Sequence, residues 1–371
     1  MSILAVIGGQ YGSEGKGAVV GAILNQYDIH VRAGGPNAGH TFYDADGHKF
    51  VMQSIPCGFA NRKAICVIAP GCMVDLKQVL LEVEQIEEAG YTILDRLRID
   101  ANALIMLPSY KGQEGGVHGY GHETIGSTGK GVGIAQMARV GRRIAGWPLV
   151  DTAYLMRDLL SDEFAEMINT ALGIDVSPLL SCILEDTHLY VAEMERNGSR
   201  VLLEGTQGSG LSNTTGAWPY VTSRDTNAAG LAAECGLPPN RVQTLLVFRT
   251  FPIRVAGPSG PMFAETTWED LGFEPEVTTV TKKVRRVGFW DDGLARRSIM
   301  MNDPVAVAIT FLDYIDPAVR GVTQWTELSD AARDWVRDFM ITYGMPVWMV
   351  GTGPDTMASV PNAVYQMTRL K

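Results

Sequence analysis

Short apolar-rich runs that end in glycine-rich segments recur along the chain. Residues 3–7, 29–33 and 64–69 are such runs, and their apolar content is typical of strands buried on both faces of a parallel sheet. A helical pattern follows the first run at 18–24, and the segment 73–88 carries apolar residues at helical spacing. This alternation of strand and helix predicts an α/β fold around a mostly parallel central sheet.

The rest of the chain continues the alternation without a repeat, a low-complexity linker or a shift in composition. We therefore expect residues 1–371 to form a single large domain. The segment 108–133 is dense in glycine and polar residues, which predicts a long loop, either functional or disordered. Further helices are predicted at 151–172, 176–196 and 327–343, and further strands at 200–204, 243–249, 305–312 and 346–350.

Composition and charge narrow the class of protein. The 371 residues are 46% hydrophobic, which is enough for a large core and excludes disorder for most of the chain. Acidic residues outnumber basic ones by 10 (41 − 31), and no block of like charges occurs, which argues against a nucleic-acid surface or a membrane patch. The five cysteines form no CxxC pair and indicate reduced thiols. Without a signal-peptide pattern or an 18-residue apolar run, we expect a soluble cytoplasmic protein.

The first candidate for chemistry is the segment GGQYGSEGKG at 8–17, between a predicted strand and a predicted helix. Glycine N–H groups, the helix N-terminus and the mobile charge of Lys16 together suit phosphate oxygens. The segment resembles a P-loop but departs from the strict pattern, since Gln10 replaces a glycine and Gly17 replaces the Mg²⁺-binding hydroxyl residue. A glycine-rich turn with a surface lysine is the alternative interpretation.

Two more polar segments carry residue types suited to catalysis and to a second phosphate. RAGGPNAGHT at 32–41 contains His40, and histidine is a natural proton donor near neutral pH. A single loop histidine is, however, more often only exposed or hydrogen-bonded. IGSTGKGVG at 125–133 combines hydroxyls with glycines and is followed by clustered arginines, which suits a second phosphate.

The remaining polar segments lie in the second half of the chain. EGTQGSG at 204–210 follows a predicted strand, and WPYVTSRDT at 218–226 comes soon after it. VTTVTKKVRRVG at 277–288 interleaves four cations with hydroxyls in an otherwise acidic chain. Such a cluster suits a carboxylate or a phosphate, and a solvated basic turn is the alternative.

The order of these segments resembles the adenylosuccinate synthetase family over essentially the whole chain. The resemblance implies one large α/β domain around a mixed sheet, assembled as a homodimer. It also implies a ligase, in which a nucleoside triphosphate phosphorylates O6 of a purine monophosphate and the aspartate amine displaces that phosphate. Phosphoryl transfer depends on positioning and charge neutralisation, which suits a motif set rich in Gly, Thr, Lys and Arg. The segments are QYGSEGKG, NAGHT, STGKGVG, EGTQG with WPYVTS, the loop ending in RRVG, FLD at 311–313 and GTGPDTM at 351–357.

The resemblance also carries roles to individual residues. His40 would be the general acid at O6, and Gly39 would offer its carbonyl to Mg²⁺. Arg139 matches the family arginine that reaches the monophosphate across the dimer interface. The other implied contacts are Gly12, Gly15, Lys16, Gly17, Gly39, Thr41, Asp313 and Gly353 for the triphosphate, Asn37, Thr128, Gln207 and Thr222 for the monophosphate, and Thr279, Thr281, Lys283 and Arg285 for aspartate.

Ser13 departs from the family pattern. The family segment GDEGKG carries an aspartate that takes the N1 proton and ligates Mg²⁺, so Ser13 holds this catalytic, monophosphate and metal position without a carboxylate. The phage branch of the family resembles the chain at Ser13 and makes 2-amino-N6-succinyl-dAMP from dGMP. A shorter side chain would free space beside N1 and C2, where guanine carries its extra amino group. The leading hypothesis is therefore a phage enzyme that ligates aspartate to dGMP in the host cytoplasm.

Two further departures concern the donor and the aspartate. Phe311 stands where the family carries a lysine, which favours ATP over GTP as donor, although Asp313 would suit guanine. Lys283 replaces an expected arginine and cannot form two parallel hydrogen bonds to a carboxylate. The alternatives are ordinary adenylosuccinate synthesis from IMP and GTP, and a catalytically silent purine-nucleotide-binding protein.

Overall fold

The structure is a computed structural model that describes residues 2–115, 119, 122–142, 153–277, 283–361 and 363. The strands are β1 (Ile3–Gly8), β2 (Ile29–Arg32), β3 (His40–Tyr43), β4 (Lys49–Met52), β5 (Ile65–Ile68), β6 (Met73–Val74), β7 (Leu97–Asp100), β8 (Leu104–Ile105), β9 (Ile183–Leu184), β10 (Val201–Glu204), β11 (Val242–Arg249), β12 (Ile253–Arg254), β13 (Glu265–Thr266), β14 (Arg286–Gly288), β15 (Ala306–Thr310), β16 (Val347–Gly351) and β17 (Ser359–Pro361). The α-helices are α1 (Lys16–Ile23), α2 (Leu76–Glu88), α3 (Pro108–Gly115), α4 (His122–Ile125), α5 (Val132–Gly141), α6 (Asp162–Leu172), α7 (Ser177–Leu180), α8 (Thr187–Arg196), α9 (Ala228–Glu234), α10 (Asp292–Asn302) and α11 (Asp330–Tyr343).

Ten strands form one central sheet in the order β17-β16-β15-β11-β1-β10-β2-β5-β7-β9. Every neighbouring pair is parallel except β16 and β17, which pair antiparallel at one edge. The predicted α/β fold around a mostly parallel sheet is therefore confirmed. Smaller sheets join β12, β14 and β13, the hairpin β3–β4, and the pair β6–β8.

The centre of the sheet is apolar on both faces, which explains the continuous apolar runs in the sequence. All four residues of β10 are buried, and Ala5, Val6 and Ile7 of β1 are exposed by 2% or less. Helices α1 and α9 contact β1. Fully burying one Val, Leu or Ile side chain contributes roughly 1.5–3 kcal/mol, so this layer supplies much of the stabilisation of the fold.

The structure corrects the prediction of a loop at 108–133. Pro108–Gly115 is helix α3, and α5 begins at Val132. Tyr110 on α3 packs with Val132 and Ala135 of α5 in a small core of its own. Glycine-rich sequence disfavours helix locally, but contacts between the two helices outweigh that preference.

The two long helices predicted next are also divided. Residues 151 and 152 lie outside the described residues, and a short 3₁₀ segment precedes α6, which starts only after Ser161. The Ser161 hydroxyl caps α6 by accepting a hydrogen bond from the Phe164 N–H. The predicted helix 176–196 is two short helices, because Ile183 and Leu184 pair with β7 as a strand.

The carboxyl ends of five neighbouring central strands lie at one edge of the sheet. They are followed by the glycine-rich loop after β1, the polar loop after β2, the EGTQG segment after β10, Thr250 after β11 and Phe311 after β15. Ligand sites of open parallel sheets form at this edge. The fold thus gathers segments that are far apart in sequence.

No helix in the described part of the chain is long and apolar enough to cross a membrane.

Candidate active site

A cavity of about 720 Å³ opens at the carboxyl edge of the sheet. Its walls come from the loops after β1, β2 and β10, together with residues of the segments around Thr128, Thr222 and Arg285. The structure therefore brings together most of the residues predicted for the site. Those that line the cavity are Gly12, Ser13, Gly15, Lys16, Gly17, Asn37, Gly39, His40, Thr41, Thr128, Gln207, Thr222, Lys283 and Arg285.

The glycine-rich loop after β1 is organised around a buried ion pair. Lys16 Nζ lies 2.6 Å from Glu14 Oε2, and both side chains are almost completely buried. Glu14 Oε1 accepts hydrogen bonds from the backbone N–H groups of Gly12 (2.8 Å) and Gln10 (3.1 Å). Lys16 also donates to the backbone carbonyl of Gln207. The ammonium group is thus held in place at the cavity wall, where an anionic ligand would meet it.

Glycines make room for this buried carboxylate. A Cβ atom on Gly8 would lie 2.4 Å from Glu14 Oε2, and one on Gly208 would lie 2.4 Å from Glu14 Oε1. Real Cβ atoms do not approach this closely, so a larger residue at either position would displace Glu14. Glycine is needed in these two loops because the Glu14 carboxylate occupies the space of a Cβ atom, in addition to any close approach of a phosphate.

Helix α1 begins inside the cavity wall. Gly15 precedes it with a left-handed backbone (φ 79°), and no side chain caps the first N–H groups of the helix. Uncapped N–H groups and the helix dipole favour an anion at this end. Gly17 lets α1 approach β3 closely, because a Cβ there would lie 2.5 Å from the Thr41 carbonyl oxygen.

His40 belongs to a buried network with Glu204 and Arg32. His40 Nδ1 lies 2.6 Å from Glu204 Oε1, and Arg32 pairs with the same carboxylate oxygen. Glu204 Oε2 accepts a hydrogen bond from the Cys57 N–H at 2.9 Å. Because an ionised carboxylate only accepts, the Nδ1 hydrogen of His40 points to Glu204, and Nε2 is the ring nitrogen left for a ligand.

The electrostatics of this network keep His40 neutral. Burial, followed by the nearby charges of Arg32 and Lys16, lowers the pKa of His40 to about 4 despite its contact with Glu204. Burial raises the pKa of Glu204, but Arg32 and His40 outweigh burial and hold that pKa at about 2. A protonated His40 at neutral pH therefore needs added negative charge nearby, such as that of a bound phosphate.

Ser13 lies at the cavity with an uncommon backbone conformation. Its φ is 59°, and Gln207 (φ 53°) and Phe311 (φ 58°) share this left-handed region. All three residues line the cavity. Left-handed non-glycine residues cost free energy and concentrate at functional sites, so their clustering here marks the cavity. The Ser13 hydroxyl accepts a hydrogen bond from the Arg285 guanidinium.

Several polar atoms in or beside the cavity are buried without a hydrogen-bond partner. They include Asn37 Oδ1, Gln207 Oε1, Glu114 Oε2 and Asp313 Oδ1. A buried acceptor without a donor costs about 1–3 kcal/mol, so the three oxygens on cavity residues Asn37, Gln207 and Glu114 can accept hydrogen bonds from a ligand or from water. Burial also raises the pKa of Asp313.

Three predicted site residues lie within the described structure but do not line the cavity. Arg139 on α5 donates to the Asn102 carbonyl at 3.2 Å. Asp313 is buried just after β15, and Gly353 lies against Arg320 and Ala358. The predictions for Thr279 and Thr281 lie outside the described residues.

The sequence patterns assign no role to Glu14, Arg32 or Glu204, although all three lie in the polar segments described above. A signal was present for two of them. Arg32 and Glu204 each end a buried apolar strand, and the structure places them opposite each other in the β2–β10 register. Charges at the ends of two such strands indicate a buried pair once the strands are known to be neighbours.

The residues implied for Mg²⁺ are a poor fit for an ion held by protein ligands. Ser13 and Gly39 offer only neutral oxygens, and the Ser13 hydroxyl faces the Arg285 guanidinium. Mg²⁺ prefers carboxylate and phosphate oxygens and often keeps most of its ligands from the nucleotide and water. A Mg²⁺ ion in this cavity would therefore be held chiefly by triphosphate oxygens.

The chain is similar to known proteins over most of its length. A model of the adenylosuccinate synthetase family matches residues 5–320. The adenylosuccinate synthetases of Archaeoglobus fulgidus and Pyrococcus horikoshii are each 36% identical to the chain; the first match covers 96% of both chains, and the second covers 96% of this chain and 97% of the relative.

Two solved structures also resemble the chain over nearly its whole length. The cyanophage S-2L succinoaminodeoxyadenylate synthetase bound to dGMP and dATP is 27% identical, with a TM-score of 0.77, and covers 100% of this chain and 98% of its own. The fully ligated adenylosuccinate synthetase of Plasmodium falciparum has a TM-score of 0.81 over 98% of this chain and 100% of its own; at 20% identity it shows the fold alone.

Proposed function

The chain belongs to the adenylosuccinate synthetase family, and we propose that within it this enzyme ligates L-aspartate to C6 of dGMP, giving 2-amino-N6-succinyl-2'-deoxyadenylate. The general activity follows from the family: the protein is a ligase that forms a C–N bond between aspartate and a purine nucleotide. Ser13 is the observation that carries the finer proposal, because it replaces the family's carboxylate at the purine N1 position. The succinoaminodeoxyadenylate synthetase described above, bound to dGMP, supports it.

The cavity supplies the groups that such a ligation needs. Lys16, the uncapped start of α1 and the glycines of the first loop would hold the triphosphate. Asn37 and Gln207, whose side-chain oxygens lack partners, would bind the base, with Thr128 and Thr222 at its phosphate. Lys283 and Arg285 would bind the aspartate carboxylates, together with Thr279 and Thr281.

His40 would act as the proton donor at O6. Glu204 orients the ring through Nδ1, which leaves Nε2 toward the substrate. The positive charge of Lys16 is one of the causes that lower the pKa of His40, and the negative charge of a bound phosphate beside Lys16 would cancel it. Substrate binding would thus protonate the residue that the reaction uses, and the empty enzyme would keep it neutral.

The ordinary reaction with IMP and GTP is the second candidate, and the curated relatives favour it over dGMP. Archaeal adenylosuccinate synthetases, including the two named above, match the chain at 34–36% identity and do not support a phage origin. Family enzymes use Mg²⁺ and GTP. We nevertheless propose ATP as donor here, because Phe311 removes a cation from the segment that would contact the base.

Substrate pairing distinguishes these candidates. The purified protein is incubated with aspartate, Mg²⁺ and each pairing of IMP, GMP or dGMP with ATP or GTP, and products are identified by mass. We expect product chiefly from dGMP with ATP. A site that hydrogen-bonds the guanine amino group can reject the analogue without it by up to about 10⁴-fold. A wide preference for IMP would return the enzyme to ordinary adenylosuccinate synthesis, and binding without any product would indicate a silent nucleotide-binding protein.

The variant Ser13→Asp tests the residue on which the proposal depends. A carboxylate at this position should shift the preference toward IMP and change the Mg²⁺ requirement, because it supplies a base at N1 and a charged metal ligand. Ser13→Ala is the matched control, since it removes the hydroxyl without adding a charge. Equal dGMP/IMP ratios in parent, Ser13→Asp and Ser13→Ala would show that position 13 does not select the base.

A further inference from the structure

Arg249 is a fully buried arginine at the carboxyl end of β11 that has no role in the proposed chemistry. Its guanidinium lies 2.5 Å from one carboxylate oxygen of Glu276 and 3.3 Å from the other. It also donates to the backbone carbonyl of Ser13 at 3.2 Å. One side chain therefore connects the first loop of the cavity with Glu276, which directly precedes the cation-rich segment 277–288 (the cationic loop).

Arg285, at the other end of the cationic loop, contacts the same two residues. Its backbone N–H donates to the Glu276 carbonyl at 2.8 Å, and its guanidinium donates to the Ser13 hydroxyl. Ser13 is thus held from two sides, with its carbonyl on Arg249 and its hydroxyl on Arg285. Glu276 is likewise held by its carboxylate and by its backbone.

Neighbouring groups fix the Arg249 side chain in this position. Its guanidinium stacks on the Phe311 ring at 3.9 Å, and Tyr314 donates from its hydroxyl to Glu276 Oε1 at 3.1 Å. The Gln10 side-chain amide accepts from the Arg249 N–H and donates to the Arg249 carbonyl, both at 3.0 Å. The arginine has little freedom to adopt another arrangement.

We propose that Arg249 is a positioning residue for the aspartate half of the reaction, acting through Ser13 and Glu276 on the placement of Arg285. This proposal rests on the assignment of Arg285 to aspartate. Arg249 lies behind Ser13 and Phe311 and does not line the cavity itself. Its effect on substrate is therefore indirect, through the backbone of Ser13 and the backbone of Glu276.

The chemistry of the pair explains why arginine is required. The guanidinium reaches both Glu276 oxygens and the Ser13 carbonyl at once, and a lysine ammonium cannot form this planar set of bonds. Glu276 is mostly buried; burial raises its pKa, but Arg249, Arg285 and Tyr314 together outweigh burial and lower that pKa. Without the guanidinium of Arg249, the Glu276 carboxylate would lose its partner and Glu276 would shift. Arg285, whose backbone N–H bonds the Glu276 carbonyl, would then lose its fixed position.

The test compares kinetics of Arg249→Lys, Glu276→Gln and the double variant in the full-length enzyme, with the purine and donor pair that the parent uses. We expect Arg249→Lys to raise KM for aspartate about tenfold while KM for both nucleotides stays within about twofold. The double variant should be little worse than the worse single variant, since both changes break one interaction. Arg333→Lys is the control, because Arg333 forms a similar pair with Asp330 on the surface of α11.

Thermal unfolding separates positioning from stability. Loss of stability with equal rises in KM for all three substrates would show that Arg249 only supports the fold and would overturn the proposal. Additive effects in the double variant, or an unchanged KM for aspartate, would also overturn it. A parent enzyme that forms no aspartyl product with any pairing would instead contradict the proposed function, whatever Arg249 does.

Discussion

Glu204 is the carboxylate shared by Arg32 and His40, and it illustrates how single residues set the chemistry of this cavity. A buried carboxylate is unfavourable unless it is paired, and here it has a guanidinium, an imidazole and the Cys57 N–H. These contacts fix the orientation of the His40 ring. The free ring nitrogen is therefore directed by a residue 164 positions away in sequence.

His40→Asn should separate chemistry from binding. An asparagine can still donate to Glu204, so substrate affinities should stay within a few-fold, while turnover should fall by about 10²-fold or more, the usual contribution of a positioned acid. Steady-state kinetics and nucleotide titrations measure the two effects. His48→Asn is the control, since His48 lies on the same β3–β4 hairpin and bonds Asp44 outside the cavity. Collapsed affinity with intact turnover would make His40 a ligand contact and not the acid.

At the scale of elements, the sequence predicted the central strands and the helices α2 and α11, and it failed where neighbours decide the conformation. The apolar runs of β1, β10 and β11 and the periodicity of α2 are local signals. Strand β9 is only two residues long and exists because it pairs with β7. The cavity residues Lys16 and His40 were predicted from motifs, whereas the Arg32–Glu204 pair depends on the register of two strands, which no local pattern contains.

Gly58→Ala should destabilise the protein through one such contact between elements. The short helical turn at Cys57–Ala60 lies against β2, and a Cβ on Gly58 would be 1.9 Å from the His30 ring. His30 is completely buried and bonded to the Leu24 carbonyl, so it cannot move aside. We expect a loss of about 1–3 kcal/mol in denaturant unfolding. Gly112→Ala, where nothing lies within 4 Å, is the control and should be neutral or slightly stabilising.

At the scale of the whole molecule, buried histidines make stability depend on pH. Burial is the main cause that lowers the pKa values of His30 and His40 to about 4. The unfolded chain binds these protons near pH 6.5 and the folded chain only near pH 4, so the free energy of unfolding should fall as pH drops between these values. The raised carboxyl pKa values of Glu82 and Glu234 oppose this slope.

His30→Gln isolates one part of this dependence. His30 accounts for up to about 3 kcal/mol of the loss in unfolding free energy between pH 7 and pH 4. The unfolding free energy of the variant should therefore fall less over this range, by an amount of about that size. Urea unfolding at pH 7, 6, 5 and 4 measures the slopes of parent and variant, and the comparison does not require equal stability at pH 7. Identical slopes would mean that His30 is protonated in the folded protein as readily as in the unfolded chain.

Arg139 offers a test of whether two copies of the chain assemble with a residue of one copy serving the site of the other. Arg139 is assigned to the monophosphate by resemblance, yet its side chain bonds Asn102 outside the cavity of its own chain. Helix α5 exposes Met137 (51%) and Val140 (71%) beside it, so this face of α5 has apolar side chains that a second copy could cover. If Arg139 serves the site of a second copy, Arg139→Leu and Lys16→Ala proteins should each be nearly inactive, but mixing and subunit exchange should restore activity.

Random exchange makes half of the dimers hybrid, each with one intact site of two, so recovery should approach about a quarter of the parent activity. Sedimentation should show a dimer under the same conditions. No recovery after demonstrated exchange would place Arg139 in the site of its own chain.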